Sequence, residues 1–496
     1  MIRRLLVANR GEIAIRVIRA CRELGIESVA VYSDADDRAP HTLAADRAVR
    51  LGPPASAESY LNIDRVLEAA HSSGADAVHP GYGFLSERPH FARACEESGL
   101  TFVGPPAPAM ERMGSKIGAR RLMQEAGVPV VPGDTPADQS EASISDAVRR
   151  VGFPALLKPS AGGGGIGMKI VRDESALLES IRSGAREAQA AFGDSTLYVE
   201  RLVEQPRHVE IQIFADAHGG VVHLFERECS VQRRHQKVIE ESPCPMLSAV
   251  VRDAMGRAAV AAAHAAGYRN AGTVEFLLEG SGDAAQFYFL EMNTRLQVEH
   301  PVTEAITGVD LVHAQLRVAS GEPLPWSQAA LGQRGHAIEC RIYAEDPAQG
   351  FLPQAGTLLL YQEPQGPGIR IDSGVVEGGE VSVHYDPLLA KLVVLAETRA
   401  AAIRRAIVAL RDFHLLGIRT NIPLLLAILD HPRFQAGRID TGFLDAESDR
   451  LHQALAARAL PRAASAAAAV HTNGTGRPRG TSGTVDPFTT LTGWRG

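Results

Sequence analysis

Apolar and polar positions follow different rhythms in successive parts of the chain. From residue 1 to about 112, short apolar runs trade places with helix-period stretches. RLLVAN predicts a short buried strand, EIAIRVIRACRELG an amphipathic helix ending at Gly25, and SVAVYS the next strand. DRVLEAAHSSG predicts a helix closing on Gly74, and ADAVHP a strand after it. Strands separated by helices imply a parallel sheet in an α/β domain. The first strand leads into ANRGEIA rather than GxGxxG, so a dinucleotide site of that kind is not supported.

From about 113 the rhythm changes. SKIGARRLMQEAG predicts a helix with Ser115 as N-cap and Gly127 as its stop. PALLKPS and TLYVERLV read as strands flanking the helical SALLESIRSGAREAQAAF, with a glycine-rich loop at residues 162 to 167. HVEIQIFAD and VVHLFERECSVQ predict a hairpin through AHGG, and GTVEFLLE with QFYFLEMN a second antiparallel pair. A further α+β module starts near 330, with strands HAIECRIYAE and TLLLYQE and the helix TRAAAIRRAIVALRDF. The expected division is therefore 1–112, 113–325 and 330–447, with a flexible linker or tail over 448–496. That tail is rich in Ala, Gly, Thr and Pro, too poor in large apolar residues to order itself, until DPFTTLTGWRG regains aromatics.

Composition narrows the class. A hydrophobic fraction of 45% with 22% charged residues describes a soluble globular protein. The net charge of -7 gives no reason to expect nucleic acid or an anionic membrane as partner. Five scattered cysteines without a CxxC pair point to reduced thiols in a cytoplasm. The opening MIRRLLVANRGE has too short an apolar run for a signal peptide. Nothing approaches the roughly 20 apolar residues that span a bilayer.

Chemistry enters through polar residues at unexpected positions. In FYFLEMNTRLQVEHPVTE, residues 287 to 304, period-two alternation puts Phe287, Phe289, Glu291 and Asn293 on one strand face. An apolar face ending in a carboxylate and an amide suits magnesium, which prefers oxygen ligands. Arg295, Gln297, Glu299 and His300 follow at once, although a capped strand entering a solvated loop would look similar. Glu275 stands between Val274 and Phe276, where a carboxylate is costly to bury unless paired or metal-bound. With Glu291 and Asn293 it would complete a magnesium site shared by two strands.

In LKPSAGGGGIGM, Lys158 precedes four consecutive glycines. Their amides can turn inward on anionic oxygens while the lysine adds fixed charge. The lysine of a Walker loop follows its glycines, so this is a different device or simply a hairpin tip. Lys116 stands near the start of its helix, and Arg227, Arg233, Arg234, His235 and Lys237 cluster farther on. That cluster fits a small-anion site or a solvated basic loop. Glu200, followed by Arg201, Leu202 and Val203, has the form of a hinge strand that could meet an adenine edge. A charged sheet edge has the same form. HPGYGFLSE needs Gly81 and Gly83 for a tight turn or for a ligand loop beyond a strand. Glycine loop, lysines and paired carboxylates together describe an ATP-dependent ligase.

On these motifs the chain resembles biotin carboxylase, from about residue 1 to 447. The resemblance rests on ANRGEIA, HPGYGFLSE, MGSK, GGGGIGM, RHVEIQ, ECSVQRRHQKVIEE, FLEMNTRLQVEHPVTE and HAIECRIYAEDP, in that order. It implies a parallel α/β N-terminal domain, an ATP-grasp domain with a mobile lid at about 131–204, and a C-terminal α+β domain. It implies that ATP and bicarbonate form carboxyphosphate, and that biotin on a carrier is then carboxylated, the first half-reaction of an acetyl-CoA or other acyl-CoA carboxylase. ATP would contact Lys116, Lys158, Gly164, Gly165, Glu200 to Val203, His208 and His235. Magnesium or manganese would sit on Glu275, Glu291 and Asn293. Bicarbonate would lie on Lys237, Arg295 and Val298 with Glu299 as base. Arg295 would also orient carboxyphosphate, Arg341 would stabilise the biotin enolate, and Tyr82 would line the pocket.

The implied partners are a biotin carboxyl carrier protein, carboxyltransferase subunits and a second copy in a homodimer. The AMKM-type biotinylation signature is absent from these residues, so biotin is expected on a separate carrier. DPFTTLTGWRG resembles the segment joining this module to a carrier in fused α subunits. Many relatives carry Arg or Lys where Ile166 stands, so a side-chain phosphate contact is not expected there. Another ATP-grasp ligase acting on carbamate or an amino group, or an inactive carrier-binding subunit, are the alternatives. RRHQKVIEE argues against the first, and the intact charged set against the second.

Overall fold

The computed structural model describes residues 1–162, 165–234 and 236–456. Gly164, His235 and everything expected of residues 457–496 lie outside the described residues. The chain opens with β1 (Arg4–Val7), β2 (Glu27–Ser33), β3 (Arg47–Gly52), β4 (Ala77–His79) and β5 (Thr101–Phe102). They form one parallel sheet in the order β3-β2-β1-β4-β5. Leu5 and Val7 pack into one hydrophobic layer with the helix Gly11–Leu24, whereas Leu6 and Ala8 face the layer on the other side. Gly25 and Gly74 end their helices in left-handed geometry, as the sequence predicts.

Strand order reverses beside β1, and open α/β sheets hold ligands at such a reversal. ANRGEIA leaves β1 there and HPGYGFLSE leaves β4. The Asn9 amide ties the two loops by donating to the carbonyls of Pro80 (2.8 Å) and Tyr82 (2.7 Å). Gly81, at φ +62°, makes this approach possible: a Cβ there would lie 2.8 Å from Asn9 Nδ2.

A small antiparallel sheet follows, built from β6 (Gly133–Asp134), β7 (Ala155–Pro159), β8 (Lys169–Val171) and β9 (Leu197–Arg201) in the order β6-β9-β7-β8. The helices Glu141–Val151 and Leu177–Phe192 give it a core of its own, with Ile144, Val148, Leu157, Ile181 and Val199 among its members. β8 and the first of these helices are elements the sequence pattern does not predict.

The largest sheet is antiparallel and eight-stranded. Its strands are β10 (Arg207–Ala215), β11 (Val221–Arg233), β12 (Gln236–Ser242), β13 (Asn270–Glu279), β14 (Gln286–Asn293), β15 (His336–Tyr343), Leu388–Ala396 and Ile369–Ser373. The order is β14-β13-β10-β11-β12-β15, then Leu388–Ala396 and Ile369–Ser373. Both predicted hairpins are present. Among the described residues, no helix is long and apolar enough to cross a membrane.

Three expectations need correction. TLLLYQE is not one strand: Gly356–Thr357 and Leu360–Gln362 join different two-stranded sheets, because Leu358 turns fully inward while Leu359 is exposed. The stretch beginning at 448 is not all linker, since Ser448–Ala456 is a helix. Leu451, buried, and Leu455 lie four residues apart and dock it on the C-terminal core. Lastly, Phe287 and Phe289 do not share a face with Glu291 and Asn293. A bulge at Leu290 shifts the register from Phe276↔Phe289 to Glu275↔Glu291. The two phenylalanines therefore pack into the core beneath the sheet, and Glu291 is turned to the opposite side with Glu275.

Candidate active site

Alternation on β10 buries Val209, Ile211 and Ile213 in the core and turns His208, Glu210 and Gln212 to the other face. Register then aligns Glu291, Glu275, Glu210 and Arg227 in a row across four neighbouring strands. Lys237 meets this row from β12. Its Nζ bonds to Glu275 at 2.8 Å, to Glu299 at 2.6 Å and also to Glu210. Burial opposes the ammonium, but the three carboxylates outweigh it and hold the lysine well above its usual pKa.

Glu299 caps the helix His300–Thr307 and divides its two oxygens between different cations. Oε1 accepts from Lys237 and Oε2 from Arg341 Nη2 at 2.8 Å. Against the cost of burial, Lys237, Arg341 and Arg227 keep Glu299 ionised, far below the usual carboxylate range. Arg341 Nε reaches Glu240 at 2.5 Å. Arg295 bonds Gln297 (2.5 Å) and Asn293 (3.2 Å) and lies 3.4 Å from Glu87.

Burial pushes Glu240 up to about 7, with Arg341 opposing only in part. A carboxyl whose pKa rises on folding stabilises the fold fully below about pH 4.5 and loses that contribution as pH rises through about 7. Glu240→Gln cannot titrate but still accepts from Arg341. Denaturant midpoints should therefore move in its favour relative to the parent between pH 5 and 7.5, and parallel profiles would contradict the assignment.

Lys116 and Lys158 form the second group. Lys158 bonds Glu200 at 2.9 Å, and Arg120 bonds the other Glu200 oxygen at 2.9 Å. Lys116 begins a helix capped by Ser115, where backbone amides and positive charge converge. Burial and then Lys158 lower its pKa, opposed by Glu291 and Glu200, so Lys116 senses both sheets. The Arg201 side chain turns away to Glu279, at 2.7 Å, and toward Tyr288. Val203 is buried, Gly165 adopts φ +75°, and Ile166 is half-exposed.

A metal ion fits one place best. Burial and the neighbouring Glu275 charge push Glu291 up, and among the described residues no donor hydrogen-bonds its carboxylate. An under-compensated carboxylate pair is what a hard cation relieves. Glu275 itself accepts from Lys237, from Asn293 at 2.8 Å and from Gln297 at 3.2 Å, with His208 2.9 Å away. His208, Glu210 and Glu275 also converge closely, but Lys237 already bonds both carboxylates of that group.

The expected basic cluster is dispersed. Arg227 bonds Glu210, Gln212, Thr273 and Thr303, and Arg233 bonds Glu345 at 2.9 Å over the Phe351 ring. Arg234 is exposed. Among the described members of the cluster, Arg227 and Lys237 join the carboxylate row while Arg233 and Arg234 do not, because successive residues at a hairpin end face different surroundings. Sequence reading missed Glu210, Glu240, Arg120 and Lys391. The signal for Glu210 was its alternation with His208 and Gln212, and for Lys391 a lone cation inside LLAKLVVLA.

A glycine loop and Lys158 on a small sheet, Lys116 at a helix start, and a row of carboxylates on a large antiparallel sheet define an ATP-grasp ligase. The family comparisons are more specific. Residues 1–110 match the biotin carboxylase N-terminal domain, 115–327 the carbamoyl-phosphate synthase L chain ATP-binding domain, and 339–446 the biotin carboxylase C-terminal domain. The chain is 52% identical to the biotin carboxylase of Halalkalibacterium halodurans over 90% of its own length and 97% of that protein. It is 49% identical to the propionyl-CoA carboxylase alpha chain of Ruegeria pomeroyi, over 95% of this chain and 72% of that one. Among solved structures, the biotin carboxylase domain dimer of Hydrogenobacter thermophilus 2-oxoglutarate carboxylase, in complex with MgADP, ADP and bicarbonate, superposes with a TM-score of 0.86. That match is at 44% identity and covers 91% of this chain and 99% of that one. The chain belongs to the biotin carboxylase family. It is an ATP-dependent carboxylating ligase.

Proposed function

We propose that the chain carries out the first half-reaction of an acetyl-CoA or other acyl-CoA carboxylase, with biotin presented on a carrier. The observation that carries the site assignment is the division of Glu299 between Lys237 and Arg341. One oxygen belongs to the phosphate side of the site and the other to the side where biotin would enter. Lys237, Arg295 and the Val298 backbone hold bicarbonate beside Glu299. Glu299 is already ionised and can accept a proton, and an anion placed next to it raises its basicity. Lys116, Lys158, the Gly164–Gly165 backbone, His208 and His235 hold the ATP phosphates, and the Glu200–Val203 strand end meets adenine. Glu291 and Glu275, with Asn293 beside them, would hold magnesium, which would screen the charge of the phosphates. Arg295 orients carboxyphosphate, and Arg341 stabilises the biotin enolate near Tyr82.

Carboxyphosphate is lost quickly to water, which gives a closing lid a chemical purpose. The sheet β6–β9 has its own core, which supports the reading that residues about 131–204 form a mobile lid within the ATP-grasp segment 113–325, flanked in sequence by segments 1–112 and 330–447. The acyl-CoA assignment is supported by the long match to a propionyl-CoA carboxylase alpha chain, while the structural relative is a domain of a 2-oxoglutarate carboxylase. Carboxyltransferase subunits complete the reaction, and a homodimer is supported by the dimeric relative. Purified protein should release ADP only with bicarbonate and magnesium, and faster with free biotin. Equal rates with and without bicarbonate and biotin would end this reading.

A further inference from the structure

Two motifs, ANRGEIA and HPGYGFLSE, contribute only Tyr82 and Glu87 to the site described so far, yet they converge on one buried cation. Lys391 lies in the apolar strand Leu388–Ala396 and is fully buried. Register sets it beside Arg341 on β15 and beside Asp372 on its other flank. Its Nζ donates to the carbonyl of Val298 at 2.9 Å, lies 3.1 Å from Glu12 Oε2, and is 3.8 Å from Asp372. The other Glu12 oxygen accepts from the Tyr82 hydroxyl. Burial opposes the ammonium, but Glu12, Glu339 and Asp372 hold it charged. A single side chain thus links the loops after β1 and β4 to the peptide joining Val298 and Glu299.

We propose that Lys391 is a positioning residue for bicarbonate: it fixes the Val298 carbonyl, and so the Val298 amide and the Glu299 carboxylate, against the N-terminal loops through Glu12. The inference rests on the reading that Val298 and Glu299 hold bicarbonate. Lys391 touches no substrate; it sets where two groups that do will stand. Displacement of a binding group by about 1 Å can cost on the order of 10²-fold in rate. A lysine present only to neutralise Glu12 would have no need of the Val298 bond.

The test separates those roles. Lys391→Met would leave the Glu12 carboxylate buried and unpaired, so it is paired with the double variant Glu12→Gln/Lys391→Met, which removes both charges together. ADP release with free biotin is followed against bicarbonate and, separately, against ATP, with thermal melting as the measure of folding. The double variant should melt near the parent, keep its KM for ATP within twofold, and show a KM for bicarbonate raised at least tenfold. Lys391→Arg, which can still reach a carbonyl, should recover part of that loss. A double variant with the parental KM for bicarbonate would overturn the proposal, leaving Lys391 as a counter-charge. Equal rises in both KM values would overturn it too, in favour of a general packing role. A parent protein whose ADP release ignores bicarbonate would instead sink the underlying functional reading, and this inference with it.

Discussion

Glu291→Gln should reduce bicarbonate-dependent ADP formation by about 10²-fold or more, since a metal contributes several kcal/mol to phosphoryl transfer and each 1.4 kcal/mol is about tenfold. The protein itself should be no less stable. Glu291 is pushed up by burial and by Glu275, so removing its charge relieves repulsion rather than breaking a bond. Activity measured across a magnesium titration and melting measured without metal therefore ought to move in opposite directions. A variant that melts much lower and responds to magnesium like the parent would place the cation elsewhere.

Lys237→Met should damage both stability and activity. Three buried carboxylates lose the ammonium they share, and among the described residues Arg227, His208 and Arg341 remain to compensate. Removing one partner from a buried ion pair typically costs about 3–5 kcal/mol. Glu299 would also rise toward ordinary carboxylate behaviour as the cation bonded to its Oε1 disappears. Adding Glu210→Gln should restore part of the stability but none of the bicarbonate-dependent turnover, because Lys237 is assigned to the substrate as well as to the network. Denaturant unfolding alongside ADP release reads both effects. Recovery of turnover in the double variant would reduce Lys237 to a structural role.

Some of this site was legible from residue order alone. Glu275 stood out because a carboxylate inside GTVEFLLE has no cheap way to be buried. Lys391 carries the same signature in LLAKLVVLA, but its partners Glu12, Val298 and Asp372 are scattered through the chain. The bulge at Leu290 was not legible, since it depends on how β14 pairs with β13 rather than on β14's own pattern. The basic run Arg233 to Lys237 misled in the opposite way. Nearness in sequence suggested one anion site, whereas the carboxylates answering Arg233 and Lys237 arrive from Glu345 and from Glu210, Glu275 and Glu299. Helices ended by glycine and strands with clean alternation were predicted well because their causes are local.

The continuity of the large sheet has a consequence for how such a chain can be cut and recombined. β12 and β15 pair through Ile239↔Cys340, Glu240↔Glu339, Glu241↔Ile338 and Ser242↔Ala337, although some ninety residues of chain separate them. A break placed between residues 327 and 339, where the matched family segments leave a gap, would run along this seam and expose two bare edges. Grafting the last third from a distant relative would require it to restore that register residue for residue. The portions that look like separate beads in sequence are therefore woven together as cloth, and a hybrid enzyme would have to inherit both sides of the seam from one parent.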